Sequence, residues 1–182
     1  MPIYKVSEDT LLLADVVKEL EGNIIVDVGS GNGYIAKTVA EKFQWVIATD
    51  INYDAICYIR NKLKSYPNID IIQCDLFDAI RNIEIDYIVF NPPYLPNDDI
   101  KTDLDNLTVY INYNGKNIIE EFLSKLINFK NVKETFLVIS SLTNIEEILG
   151  KDIKKSIRLE KIKSIRRFFE EIIVYKVSII TF

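Results

Sequence analysis

The sequence predicts a doubly wound α/β fold: a mostly parallel seven-stranded sheet with helices on both faces, finished by an antiparallel C-terminal strand. Three observations carry that expectation. Short runs rich in Ile and Val alternate with segments of helical period, as expected of strands buried on both faces. A glycine-rich turn joins the first run to the helix after it. The first three runs all close on an aspartate, Asp27, Asp50 and Asp75. With 182 residues and 48% hydrophobic content, the chain can bury one sizeable core but is short for two, so residues 1–182 are expected to form one domain.

In chain order, "SEDTLLLADVV" reads as a helix with Ser7 in the capping position and acids on the positive end of its dipole. The strand "NIIVDV" follows, then a glycine turn, then apolar Ile35, Val39 and Phe43 at helical spacing. "WVIATD" is the second strand, with a helix beginning near Asn52. "IDIIQCD", "IDYIVF" and "FLVISS" are the next three strands. The last two runs, "SIRLEKI" and "EEIIVYKVSII", are joined by too few residues for a crossover helix, so they pair as an antiparallel hairpin at the sheet edge. The longest predicted loop covers residues 95–114, a length more typical of function than of accident.

Composition removes several chemistries. No apolar run is long enough to cross a bilayer and no signal-like segment opens the chain, so a cytoplasmic protein is expected. There is no histidine, and Cys57 and Cys74 alone make no disulfide framework. Zinc or iron sites of the usual kind lack ligands, and serine–histidine or cysteine–histidine hydrolysis is excluded. No metal residue is assigned. The net charge of −5 argues against a nucleic-acid footprint. Charge is uneven, however: residues 151–167, from Lys151 to the Arg167 side chain, carry +6 and the rest of the chain −11. That segment reads either as a solvated helix end and a lysine-guarded strand edge, or as a strip for an acidic partner or RNA.

The turn "DVGSGNGY" has Gly29, Gly31 and Gly33 where the backbone must bend sharply beneath a helix N-terminus. A dinucleotide fold prefers glycine at the first, third and sixth positions of such a turn. Here the sixth is Tyr34, which leans away from a pyrophosphate. Asp50 lies twenty-one residues after Gly29, where the ribose hydroxyls of an adenosine would donate to it, and it could also cap the next helix. Asp27, Asp50 and Asp75 at equivalent strand ends describe one crevice. It suits a ligand with many donors and a positive charge, such as S-adenosylmethionine.

"FNPPYLP" ends the fourth strand. In a sheet ordered 3-2-1-4-5, the first and fourth strands are neighbours, about 5 Å apart, so this segment faces the glycine turn. A planar NH₂ group is a poor nucleophile because its lone pair is delocalised. If the Asn91 side-chain oxygen accepts one hydrogen and the Pro92 carbonyl the other, the nitrogen is oriented and its developing positive charge stabilised. Pro92 and Pro93 fix two φ angles in advance, and Tyr94 offers a flat face to the substrate.

At these residues the sequence resembles a known family. "DVGSGNG", "TDIN", "CDLF" and "NPPY", in this order, look like Rossmann-like class I S-adenosylmethionine-dependent methyltransferases acting on planar amino groups. "IYKVSEDTLLLADVV" is similar to the N-terminal signature of the HemK-like protein-glutamine methyltransferases of archaeal and eukaryotic type, and the resemblance runs from Tyr4 to the last strand. It departs at Val6, where the family usually has proline, and in "NYNGKN", which is poorer in glycine. The resemblance implies methyl transfer to the glutamine of the Gly-Gly-Gln motif in class I translation release factors. By the same resemblance Thr10 touches the cofactor, Gly29, Asp50, Ile51, Asp75 and Leu76 hold its parts, and Asn91 and Pro92 bind the amide.

A partner is also expected. The strand opening at Asn68 and closing at Gln73 is an uncovered edge, and "AICYI" beside it is apolar through more than a helical turn, so one face would need outside cover. The resemblance implies a small zinc-binding activator subunit there, the zinc belonging to the partner. Two other functions stay open: methylation of an exocyclic nucleobase amine, which Asn-Pro-Pro-Tyr segments also serve, and a non-catalytic binding subunit.

Overall fold

The computed structural model describes residues 5–81, 83–93, 117–129, 131–143, 145 and 149–180. Seven strands form one sheet: β1 (Gly22–Val28), β2 (Phe43–Asp50), β3 (Ile69–Gln73), β4 (Ile85–Phe90), β5 (Val132–Ser140), β6 (Ile157–Arg167) and β7 (Glu170–Ile179). Their order is β3-β2-β1-β4-β5-β7-β6. The first five pair in parallel, while β7 runs antiparallel to both β5 and β6. The predicted α/β fold and its C-terminal antiparallel finish are as observed. Ile25, Val26, Ile88 and Val89 are wholly buried, as central parallel strands require.

Five helices are described: α1 (Glu8–Val17), α2 (Tyr34–Val39), α3 (Tyr53–Lys62), α4 (Ile118–Asn128) and α5 (Lys151–Ser156). In α4 the i, i+3, i+4, i+7 set Ile119, Phe122, Leu123 and Leu126 is buried, and Asn117 caps its start by accepting from the Ile119 and Glu120 N–H groups. Asn52 caps α3 by accepting from the Asp54 N–H at 3.0 Å. Phe90, Phe122, Phe77 and Phe129 stack and edge into one aromatic cluster beneath the carboxyl ends of the strands.

Three local expectations change. Helix α2 stops at Val39, and Phe43 opens β2 instead of continuing the helix, pairing with Gly22 and setting its ring edge against Tyr87 at 5.7 Å. Ser7 occupies the N-cap position of α1, but its hydroxyl donates to the Asp9 carboxylate and makes no side-chain cap. The apolar run in α3 is largely covered by the chain itself: Ala55, Ile56 and Ile59 are buried, and Tyr58 is the exposed exception. No described helix is long and apolar enough to cross a membrane.

The basic segment spans α5 and the edge strand β6. Part of it is neutralised internally: Lys161 pairs with Glu171, Lys163 with Asp15, and Arg167 with Glu8. The last two join β6 to α1, which matters below because α1 reaches the functional site.

Candidate active site

A crevice of about 270 Å³ opens at the carboxyl ends of β1, β2 and β4, where the strand order reverses and ligands of such sheets bind. Its wall begins with the glycine turn. Gly29, Gly31 and Gly33 have φ of +63°, +53° and +71°, a region that side-chain-bearing residues rarely enter. At Gly29 a Cβ would also lie 3.3 Å from the Phe90 ring. The turn is tied by the Ser30 N–H to the Thr49 carbonyl at 2.8 Å and by the Gly33 N–H to the Ser30 carbonyl at 2.7 Å.

The three predicted aspartates all line this crevice, in different states. Asp50 braces it: one oxygen accepts from the Gly31 N–H and the other from the Asn52 N–H, each at 2.8 Å. Asp27 is buried at the base and accepts from the Ala36 N–H at 3.1 Å. Burial, only partly offset by hydrogen bonds from Ser30 and Ala36, pushes its carboxyl up to about 7. Asp75 is half-buried, and desolvation raises its pKa despite the Lys125 ammonium.

Thr10, Ile51, Leu76, Asn91 and Pro92 also line the crevice, whereas Gly33 does not. A Cβ at Gly33 would meet Leu63 and Ile59 at 3.0 and 3.2 Å, so its bareness serves the packing of α3. Leu76 has φ +47°, an unusual conformation for a branched residue. It is held there by the Thr49 hydroxyl, which donates to its carbonyl at 2.6 Å. Tyr94, the loop at 95–114 and most of "NYNGKN" lie outside the described residues.

Asn91 is the unusual polar group. Its Nδ2 donates to Thr10 Oγ1 at 3.4 Å, while its Oδ1 is buried with no hydrogen-bond partner among the described residues. A buried amide oxygen left unfilled costs about 1–3 kcal/mol, so a retained one is an acceptor awaiting a donor. Thr10 orients it from α1, and Phe90, wedged against Phe122 at 4.8 Å, fixes the strand end that presents it.

Sequence reasoning missed several lining residues, among them Ser30, Asn32, Asn52 and Ile118. Asn52 was legible as a capping residue in "TDIN". Ile118 carried no local signal, because only the docking of α4 brings it to the crevice.

The reversed strand order, the glycine turn and an unfilled amide acceptor opposite it define a small-ligand transferase site in a doubly wound sheet. The chain belongs to the methyltransferase small domain family, whose model matches residues 4–110. A candidate protein N5-glutamine methyltransferase of Methanocaldococcus jannaschii is 29% identical over 182 residues, covering 94% of this chain and 89% of that one. The release factor glutamine methyltransferase of Fusobacterium nucleatum is 32% identical over 135 residues, covering 69% of this chain and 37% of that protein. Among solved structures, the E. cuniculi Mtq2–Trm112 complex, responsible for methylation of the eRF1 translation termination factor, superposes with a TM-score of 0.69. The identity is 25%, covering 97% of this chain and 98% of that chain.

Proposed function

We propose that this protein methylates the side-chain amide nitrogen of the glutamine in the Gly-Gly-Gln motif of a class I translation release factor, using S-adenosylmethionine. The observation that carries the reading is the buried Asn91 Oδ1, unpartnered among the described residues, in the crevice wall that also holds the glycine turn. The likeness to Mtq2 and to the M. jannaschii protein supports the choice of substrate.

The residues fit the cofactor. Bare left-handed backbone at Gly29 and Gly31 leaves room for a ligand, and carboxylates at Asp50 and Asp75 offer acceptors for hydroxyl and ammonium donors. Thr10, Asp27, Ile51 and Leu76 would complete that half. When bound, S-adenosylmethionine supplies the methyl group from its sulfonium. Asn91 Oδ1 accepts one N–H of the substrate amide and the Pro92 carbonyl the other, which turns the nitrogen toward the cofactor half of the crevice. As positive charge grows on that nitrogen, both bonds strengthen, so the stabilisation is greatest in the transition state. Tyr94 is proposed to stack on the planar amide.

The whole of residues 1–182 is read as one methyltransferase domain acting in the cytoplasm. A small zinc-binding subunit is proposed to add a strand to β3, an edge of the sheet with exposed Tyr53 and Tyr58 on the helix packed against it. Incubation with methyl-labelled cofactor, with and without such a subunit, would be run in parallel on release factor, tRNA and ribosomal RNA. Label on the glutamine of release factor is expected. Label in RNA would favour a nucleobase amine, and no label in any arm would leave a binding subunit.

A further inference from the structure

The hairpin joining β6 to β7 breaks the ordinary rules of its own turn. Arg167 pairs with Glu170, so the loop is the two residues Phe168 and Phe169. Two-residue hairpin loops with a left-handed first position call for Gly, Asn or Asp there. Phe168 nevertheless adopts φ +35°, which is strained for an aromatic residue. No packing among the described residues compensates, because the two rings are 104% and 95% exposed, the most exposed large hydrophobic residues described. A local rule broken without a packing gain points to function, and adjacent solvent-facing aromatics point to a contact surface.

The tip stands beside the crevice. The Arg167 guanidinium pairs with Glu8 in the first turn of α1, and two residues on, Thr10 touches Asn91. The same end of the sheet carries Leu142, which is 65% exposed. It follows Ser141, whose N–H donates to the Glu171 carbonyl at 2.7 Å. At the base of the loop, Glu170 Oε1 is buried without a hydrogen-bond partner among the described residues. Register places Leu137 level with Phe90, and Ser140 level with Ile172. The tip therefore overhangs the end of β4 by roughly six residues, about 20 Å.

We propose that Phe168 and Phe169, with Leu142, form a second docking surface for the folded body of the protein substrate. It takes an apolar patch on that body. The inference rests on the proposed release-factor reading. It adds that the enzyme recognises the domain carrying the glutamine as well as the loop around it.

The test is the double variant Phe168→Asn/Phe169→Gly, which installs a favoured hairpin turn and so separates docking from folding. The melting temperature should be equal to or above that of the wild type. With intact release factor, KM and the calorimetric Kd should rise about tenfold or more, with kcat unchanged. A short Gly-Gly-Gln peptide should be methylated with unaltered KM and kcat. An unchanged KM on intact release factor overturns the proposal, as does an equal rise for peptide and protein. Loss of self-association in sedimentation with no KM change would assign the tip to contacts between copies and also overturn it. If the wild-type protein labels no release factor in any form, the functional reading itself falls and takes this inference with it.

Discussion

Asp27 and Asp86 stand toward opposite ends of the seam between β1 and β4, both buried, and their surroundings differ in kind. Asp86, at the amino end, is filled: it accepts from the Asn23 N–H at 2.6 Å and the Ile24 N–H at 2.9 Å, and pairs with the Lys133 ammonium. Burial pushes its pKa up, but Lys133 and the two N–H groups outweigh that and hold it below the ordinary carboxylate value. Asp27, at the carboxyl end, has hydrogen bonds from Ser30 and the Ala36 N–H but, among the described residues, no ammonium partner, and burial dominates. A few residues further on lie the unfilled Asn91 Oδ1 and the left-handed Leu76. The amino end uses its polar groups to hold the sheet together. The carboxyl end keeps polar capacity unfilled and backbone strained, which is how a site is set apart from a scaffold.

The largest effect should come from the unfilled end. Asn91→Ala should lower turnover on release factor by about 10²–10³, the usual consequence of deleting one preorganised transition-state hydrogen bond. Cofactor affinity measured by calorimetry should stay within a few-fold, and the melting temperature within about 4 °C. Affinity falling in step with turnover would instead place Asn91 in the cofactor half.

The reverse pattern is expected at the filled end. Asp86→Ala removes the acceptor shared by the Asn23 and Ile24 N–H groups and the partner of the exposed Lys133 ammonium, and should cost about 1–3 kcal/mol in urea unfolding. Turnover per folded molecule should not change. A loss of kcat at full folding would show that the two ends are coupled.

The smallest effect is a difference in pH dependence. Because the Asp27 pKa is raised from 3.8 to about 7, its folded state holds the proton more tightly. Its contribution to stability is complete below the unfolded value and is lost as pH rises through about 7. Asp86, with a lowered pKa, behaves oppositely, losing its contribution as pH falls. Asp27→Asn removes the first slope, so its melting temperature relative to wild type should be several degrees more favourable near pH 8 than near pH 5. Parallel melting curves for the two proteins would show that Asp27 is not protonated by burial.

By itself the sequence determined what depends on neighbours in the chain. Strands appear where Ile and Val cluster, the turn where three glycines can reach positive φ, the hairpin where too few residues remain for a crossover. From the strand order alone, Asp27, Asp50 and Asp75 were already legible as one crevice with Asn91 opposite. Tertiary structure decided which of those groups were already spoken for. It turned Phe43 from a helical position into the start of β2 by pairing it with Gly22, and it covered most of the apolar α3 run. It also gave Gly33 to the packing of α3 and buried Asp27 at the base of the crevice. Burial and hydrogen-bond satisfaction are set by partners remote in sequence. Thr10 and Asn91 are 81 residues apart, and Asn23 and Asp86 are 63. Short-range propensity cannot report whether such a partner arrives, so the open oxygen of Asn91 became visible only once the folded sheet had accounted for its neighbours.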